Sequence, residues 1–325
     1  MALRLLCSLS TPQEFWQFLL NKGDALYRVP ASRFDVNAYY ALRRKPSHVG
    51  TEYGLFDNSI DKSALDTSIF SPSQEEAERL DPQQRLLLEV AQECFKDARI
   101  TGDITAIAIV VRPLADANRD RNPVRAIIGA TSYNANRDFG TGIPVLSTNA
   151  VEILIRHTYP IASITDLGVT AIVECHGTST LVGDPLGCNA VTRVFRGSGT
   201  GVYVGSVNPN VGHTGGALGL VPFIKMVLAI KNQTIPPNVR FTSPKPKIPF
   251  KAAKLTVLVD PISSPTDKLE HMSINFLDVS GLNGYVSLDS AATTVVAPIT
   301  HNQGNGPQLL LYPANTANSL GRFAT

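Results

Sequence analysis

The sequence is poor in cysteine and has no strong excess of either charge. Four cysteines occur among 325 residues, and no two of them form a CxxC pair. We therefore expect neither a disulfide framework nor a zinc site, and reduced thiols in a cytoplasmic protein are the simpler interpretation. Lys and Arg total 29 against 27 for Asp and Glu, so the net charge is +2. Because this excess is too small to neutralise many phosphates, we expect no binding to nucleic acid.

The sequence also lacks an apolar run long enough to cross a membrane. The longest run, residues 215–230, contains Pro222 and Lys225, whereas a bilayer span needs about 20 apolar residues. Residues 1–9 are apolar, but Arg4 interrupts them and no small-residue cleavage site follows, so we expect no secretory signal. Hydrophobic residues still make up 43% of the chain, which excludes a disordered protein and allows one large domain or two ordinary ones.

Strands and helices are predicted to alternate along most of the chain. Apolar periodicity and turn signals predict helices at 12–27, 82–98, 147–159, 184–195 and 214–231. Short runs of β-forming residues predict strands at 104–111, 124–128, 170–174, 202–205, 255–259 and 285–288. This alternation is typical of an α/β fold. Residues 291–306 are predicted to be a linker.

Several local signals sharpen these predictions. Asp81 and Asp184 each precede a proline, and both are predicted N-caps of the helices that follow. Cys94 falls on the apolar face of the predicted 82–98 helix, so we expect it in the core. Pro222 lies inside the predicted 214–231 helix, where a proline costs about 3 kcal/mol and would kink the segment carrying Lys225.

Two histidines stand beside glycines at predicted strand exits. His176 is followed by Gly177 after the 170–174 strand, and His213 is preceded by Gly212 after the 202–205 strand. Such exits are where α/β proteins place functional groups. A single histidine of this kind could simply satisfy a turn. Two in similar settings, with Lys225 downstream, favour a functional role.

Longer motifs surround both histidines. They read ECHGTSTLVGDP at 174–185 and GSVNPNVGH at 205–213, with DPQQRLLLE at 81–89, VPASRF at 29–34 and IPPN at 235–238. On these motifs the chain resembles the β-ketoacyl synthase (condensing) domain of a fungal highly reducing type I polyketide synthase. Residues 1–290 carry the resemblance to this domain, and residues 307–325 resemble the start of its linker towards an acyltransferase domain.

The resemblance implies a thiolase-like αβαβα sandwich of the α/β class. It also implies a cysteine nucleophile that holds an acyl chain as a thioester. His176 and His213 would assist decarboxylation of a malonyl thioester and stabilise the enolate oxygen, and Lys225 would support them electrostatically. The implied substrates are thioesters on the phosphopantetheine of an acyl carrier protein, with no cofactor bound by the chain. The implied partners are that carrier or other polyketide synthase domains, and a second copy in a dimer.

The nucleophile itself is missing from the sequence. No DTACSSS-type segment occurs, and the family pattern jumps forward near residues 100–105, which predicts an internal deletion and an incomplete sandwich. Cys175 adjoins His176, but neighbouring residues in extended backbone point to opposite faces, so its thiol is predicted to face away from the histidine. Cys188 is predicted to be a core residue.

Other departures concern residues around the motifs. Gly187, Asn208, Gly215, Asp278 and Ser280 stand where the family has an acid, a lysine, an acid and two glycines. Three hypotheses follow: a truncated condensing domain without independent activity, a cysteine-independent malonyl-carrier decarboxylase that uses both histidines, or a non-catalytic partner of a complete condensing enzyme or carrier. A mispredicted product of a complete gene is a fourth.

Overall fold

A computed structural model describes the residues on which the following account rests. They are residues 1–3, 5, 9–25, 27–28, 53–54, 84, 87–91, 93–94, 109–135, 147–178, 183–199, 201–212, 214, 217–266, 268, 271–278 and 281–292. The motif at 29–34, His213, nearly all of the predicted linker at 291–306 and all of 307–325 lie outside them. Within the described residues, no helix combines the length and apolar character needed to span a bilayer.

A six-stranded mixed sheet forms the centre of the described structure. Its strands in chain order are β3 (Ile127–Ala135), β4 (Thr170–Glu174), β5 (Val202–Gly205), β7 (Leu255–Val257), β9 (His271–Leu277) and β10 (Leu282–Asp289). Their spatial order is β3-β10-β9-β4-β5-β7. The strands β4, β5, β7 and β9 run parallel, and β10 is antiparallel to both β9 and β3. Two antiparallel pairs stand apart from this sheet: β1 (Tyr27–Arg28) with β2 (Tyr53–Gly54), and β6 (Thr234–Ile235) with β8 (Ile262–Ser263).

Helices cover both faces of the sheet. The helices are α1 (Pro12–Leu20), α2 (Leu114–Arg119), α3 (Thr148–Ile161), α4 (Gly183–Phe195), α5 (Asn208–Val211) and α6 (Leu220–Asn232). On β4, Ile172 joins the apolar cluster of α1 and α6, whereas the next residue, Val173, joins that of α3 and α4. This alternation follows from the two-residue period of a strand. The described layers are therefore helix, sheet and helix, three of the five layers expected for the sandwich.

Several predicted elements are confirmed within one or two residues. The strands at 170–174 and 202–205 match β4 and β5, and the helices at 147–159 and 184–195 match α3 and α4. Ser147 caps α3 by accepting a hydrogen bond from the Ala150 amide. Helical residues at 84, 87–91 and 93–94 fall inside the predicted 82–98 helix, where Cys94 is buried as expected.

Helix α1 begins as predicted but ends early. The Thr11 hydroxyl accepts from the Glu14 amide, and the Glu14 carboxylate accepts from the Thr11 amide, which forms a capping box ahead of Pro12. The predicted end at residue 27 is wrong, because Lys22 adopts a left-handed φ of 55° and the Gly23 amide donates to the Phe18 carbonyl. These features terminate a helix.

The strands before residue 136 also differ from prediction. Residues 109–111, the described part of the predicted 104–111 strand, are not in a strand. The predicted 124–128 strand is instead β3, which starts at Ile127 and runs to Ala135. Its second half contains weak β-formers such as Asn134, and pairing with β10 along its whole length decides its extent.

Helix α6 starts five residues later than predicted. Thr214 is the predicted N-cap, whereas the structure has Gly219 as the N-cap and Leu220 as the first helical residue. Pro222 therefore lies in the first turn, where its missing N–H has no helical acceptor to bond, so the predicted penalty and kink are wrong. The glycines at 215, 216 and 219 explain the late start, since glycine is a poor helix former.

Candidate active site

A buried ion pair joins the first residue of the 174–185 motif to helix α6. Lys225 Nζ on α6 donates to Glu174 Oε2 at the end of β4 over 2.7 Å. The two side chains are 0% and 1% exposed. Burial raises the pKa of the Glu174 carboxyl, and Lys225 together with the Val207 amide opposes that rise. The role that the resemblance implies for Lys225 stays a prediction, and the structure adds a carboxylate partner that the sequence analysis had not paired with it.

The loop after β4 is fixed through its main chain. The His176 carbonyl accepts hydrogen bonds from Asn208 Nδ2 and from Ser206 Oγ, the latter over 3.1 Å. The Ser206 amide in turn donates to Asn238 Oδ1 over 2.9 Å. The motifs at 174–185, 205–213 and 235–238 thus meet at the carboxyl ends of β4 and β5. His213 lies outside the described residues, so its distance from His176 stays a prediction.

The backbone conformation and the close neighbour at position 177 require a glycine there. The φ of Gly177 is +49°, and a Cβ there would lie 2.5 Å from Ser206 Cβ and 2.6 Å from Ser206 Oγ. A side chain at this position would be strained by its backbone conformation and would collide with the residue that binds the His176 carbonyl.

One departure from the family, Asn208, and one motif residue, Asp184, have clear structural roles. Asn208 replaces the family's lysine and holds the His176 carbonyl. Asp184 was predicted to be the N-cap of its helix, but α4 already begins at Gly183. Asp184 instead lies in the first turn, where its Oδ2 accepts from Lys245 Nζ over 2.6 Å. A carboxylate in the first turn is also favoured by the helix dipole.

Cys175 points away from the ion pair, whereas its orientation relative to the His176 side chain stays a prediction. Glu174 reaches α6, whereas Cys175 belongs to the apolar cluster formed with α3 and α4. Its Sγ donates to the Val173 carbonyl over 3.7 Å. An interaction with Cys188 and burial together raise the pKa of the Cys175 thiol well above its ordinary value. Cys188 was predicted to be a core residue, but it is only half-buried. It lines a cavity of about 400 Å³ together with Cys175.

A buried polar network joins helix α3 to strands β4, β9 and β10, and the sequence analysis did not find it. Tyr159 Oη lies 2.9 Å from Thr170 Oγ1, 3.1 Å from Ser273 Oγ and 3.4 Å from Tyr285 Oη. Burial raises the pKa of both tyrosine hydroxyls. The signal available was the two-residue spacing of His271 and Ser273, since alternate residues of one strand share a face.

In the same network, a histidine lies between the side chains of a serine and an aspartate and contacts both. His271 Nδ1 lies 2.6 Å from Asp289 Oδ1, and His271 Nε2 lies 3.4 Å from Ser273 Oγ. Ser273 and His271 are both fully buried, so no substrate can reach them. We therefore assign this group to the packing of the sheet. Within the described part of the chain, no group of three His, Cys, Asp or Glu side chains is placed to hold a metal ion.

Comparison with known sequences identifies the family. The model of the Beta-ketoacyl synthase N-terminal domain matches residues 1–129, and that of the Beta-ketoacyl synthase C-terminal domain matches residues 125–242. This chain belongs to the β-ketoacyl synthase family. It is a ketosynthase-like domain of the kind found in fungal polyketide synthases, as the motif resemblance predicted.

Two fungal relatives illustrate the similarity. Highly reducing polyketide synthase sphB of Aspergillus fumigatus is 38% identical over 449 aligned positions, which include 99% of this chain and 18% of the relative. Highly reducing polyketide synthase VdtX of Byssochlamys spectabilis is 32% identical over 447 positions, with 98% and 20% covered. This ketosynthase-like chain therefore spans about a fifth of the length of these relatives.

Solved structures support the fold. The ketosynthase from module 6 of the bacillaene synthase of Bacillus subtilis superposes with a TM-score of 0.74 at 20% identity, covering 86% of this chain and 69% of that one. The oxazolomycin ketosynthase domain OzmH KS7 of Streptomyces albus gives a TM-score of 0.75 at 18% identity, covering 89% and 73%. The thiolase-like α/β fold predicted for this ketosynthase-like chain is confirmed.

Proposed function

We propose that this chain is a polyketide synthase ketosynthase-like domain that keeps the His176 and Lys225 side of a condensing site but cannot load an acyl chain by itself. The observation that carries the proposal is the direction of Cys175. It is the cysteine next to His176 in sequence, yet its thiol packs on the sheet face opposite Lys225. Acyl loading needs an accessible thiolate, and the raised pKa of the Cys175 thiol disfavours one.

The proposed cause is an internal deletion near residues 100–105. No DTACSSS-type segment occurs in the sequence. The alignment with the Aspergillus fumigatus relative extends over 449 positions, although this chain has 325 residues. We accordingly divide the chain into a truncated ketosynthase-like domain at 1–290, a linker at 291–306 and the start of the onward linker at 307–325.

The ancestral reaction we infer is decarboxylative Claisen condensation of acyl and malonyl thioesters in polyketide biosynthesis. Its substrates would be carried on acyl carrier protein phosphopantetheine, and its partners would be that carrier and other polyketide synthase domains. A cytoplasmic location and a dimer belong to the same proposal. The decarboxylase hypothesis needs both histidines, and His213 lies outside the described residues. No specific observation among the described residues favours this hypothesis or the non-catalytic partner hypothesis.

Acyl loading tests the proposal directly. The purified chain is incubated with an acyl-carrier thioester, and its intact mass is measured. We expect no acyl adduct, whereas a complete fungal ketosynthase domain treated in parallel acquires one. A stable adduct that disappears in Cys175→Ser or Cys188→Ser would overturn the proposal.

A second assay separates the decarboxylase hypothesis from acyl loading. Carbon dioxide release from malonyl-carrier protein is compared between the natural chain and His213→Ala. Equal rates would end that hypothesis, and a rate that falls with the substitution would revive it without restoring condensation.

A further inference from the structure

Strand β3 forms one edge of the central sheet and is the longest of the six strands in it. It runs over nine residues, Ile127–Ala135, and β10 is its only hydrogen-bonded neighbour among the described strands. The main-chain N–H and C=O groups that point away from β10 therefore have no described strand to bond. Because each such group needs a hydrogen-bond partner, an open edge of this kind is a template for a further strand.

The sequence of β3 contains few of the features that protect a sheet edge. Its residues, IIGATSYNA, include no charged side chain and no proline, and these are residues that commonly prevent edge pairing. A register shift beside Gly129 interrupts the first half of the strand, whereas residues 130–135 pair with β10 without interruption. The opposite edge differs, because β7 has only three residues and directly follows Lys254. Of these two edges, β3 is therefore the one suited to pairing.

The uninterrupted half of β3 also borders exposed apolar surface. Thr131, Tyr133 and Ala135 alternate along the strand and are exposed, Tyr133 to 75%. Leu282 on β10 lies opposite Ala135 and is 51% exposed. Tyr133 and Leu282 are thus diagonal neighbours on one face of the sheet. A strand added at this edge would place side chains against Tyr133 and remove apolar surface from water.

We propose that β3 is a self-association edge, which pairs in antiparallel orientation with β3 of a second copy of this chain. Two identical edges related by a two-fold axis run antiparallel, and each offers the other the same donors and acceptors. A second copy fits this edge better than a charged partner, because β3 has no charge with which to select one. The proposed function includes a dimer but assigns it no surface, so a dimer formed elsewhere would leave that function intact.

Sedimentation velocity of the full chain at several concentrations tests the association. We expect a monomer–dimer equilibrium. The double variant Thr131→Lys with Tyr133→Lys should weaken it roughly tenfold or more, because like charges then meet across the paired edges. The matched control is Ile153→Lys with Ile161→Lys, which adds the same charge at two exposed positions of α3 and should leave the equilibrium unchanged. Circular dichroism checks that each variant is folded.

Distances between spin labels test the pairing itself. A single label is placed at position 131, 133 or 135 of an otherwise natural chain, and the distance between the labels of the two copies is measured. A strand rises about 3.4 Å per residue, so in an antiparallel pair each step of two residues away from the axis separates the labels by about 14 Å more along the strands. We expect the three distances to change along β3 in this way.

Several results would overturn the proposal. One is a chain that stays monomeric at every concentration. Another is a dimer that the α3 control weakens as much as the β3 variant, or whose label distances do not change along β3. Open-ended polymers would also overturn it, because they indicate that β3 joins a different edge and not itself. Since the label distances do not require the lysine variants, the test stands even if those variants fail to fold. An acyl adduct in the loading assay, by contrast, would overturn only the proposed function.

Discussion

Glu174 Oε2 and Lys225 Nζ lie 2.7 Å apart with both side chains withdrawn from solvent. The contact joins the last residue of β4 to the middle of α6, two positions that are 51 residues apart in the sequence. Gly205 on the neighbouring strand leaves room for it, since a Cβ there would lie 3.0 Å from Glu174 Oε2. Because each buried charge has the other as its partner, the pair has a structural role in joining β4 to α6.

Removing the lysine of this pair should destabilise the protein strongly. Lys225→Met leaves the Glu174 carboxylate buried without its partner, and loss of one member of a buried pair costs about 3–5 kcal/mol. The double variant Glu174→Gln with Lys225→Met removes both charges and should recover much of that loss. Urea unfolding of the natural chain, both single variants and the double variant measures the coupling free energy. Additive losses in the double variant would contradict the pairing.

Substitution of Gly177 should cost more than substitution of Gly199. Both glycines have positive φ, +49° and +69°, so Ala is strained by its backbone at either position. Only at Gly177 does the added Cβ meet Ser206, whereas nothing lies within 4 Å at Gly199. Overpacking adds about 1–3 kcal/mol, so urea unfolding should show Gly177→Ala to be the less stable variant by that margin. Equal stabilities would contradict the described loop.

Tyr159 and Tyr285 should resist ionisation in the folded protein. Burial raises the pKa of both hydroxyls, while in the unfolded chain they titrate near the ordinary value of about 10. The folded state therefore holds protons that the unfolded state releases. The stability from these groups is present below about pH 10 and is lost as pH rises through the folded values.

Tyrosinate absorbance during an alkaline titration measures this resistance. Of the nine tyrosines, we expect a fraction that ionises only when circular dichroism shows unfolding. Tyr285→Phe should lower that fraction by one residue. Ionisation of all nine in the folded state near the ordinary pKa would show that the network is open to solvent.

Replacing Pro222 should have little effect on stability. In the first turn of α6 the proline sacrifices no helical hydrogen bond, so Pro222→Ala should change the free energy of unfolding by less than about 1 kcal/mol. Introducing a proline in the same helix as Ala229→Pro removes an interior bond and should cost about 3 kcal/mol or more. Thermal and urea unfolding compare the two. A large gain in stability from Pro222→Ala would indicate that Pro222 lies in the helix interior, as the sequence pattern predicted.

The elements that could be predicted from sequence are those whose signals are local. Strand β4 is a short apolar run between turn residues, and α4 begins beside Asp184 and Pro185, so their limits follow from propensity and helix-start preferences. β3 could not be placed because its limits depend on pairing with β10, about 150 residues later. For the same reason Lys225 was found by its motif position, whereas its contact with Glu174 depends on how α6 crosses the sheet.

The serine, histidine and aspartate between β9 and β10 have a consequence for how enzymes are found. A search of protein structures for hydrolase triads by interatomic distance alone would select Ser273, His271 and Asp289. The same search weighted by solvent access would reject them, because the serine oxygen is sealed within the sheet. This chain is therefore a useful negative control for searches that use interatomic distance alone. A fluorophosphonate probe for reactive serines should leave Ser273 of the folded protein unlabelled.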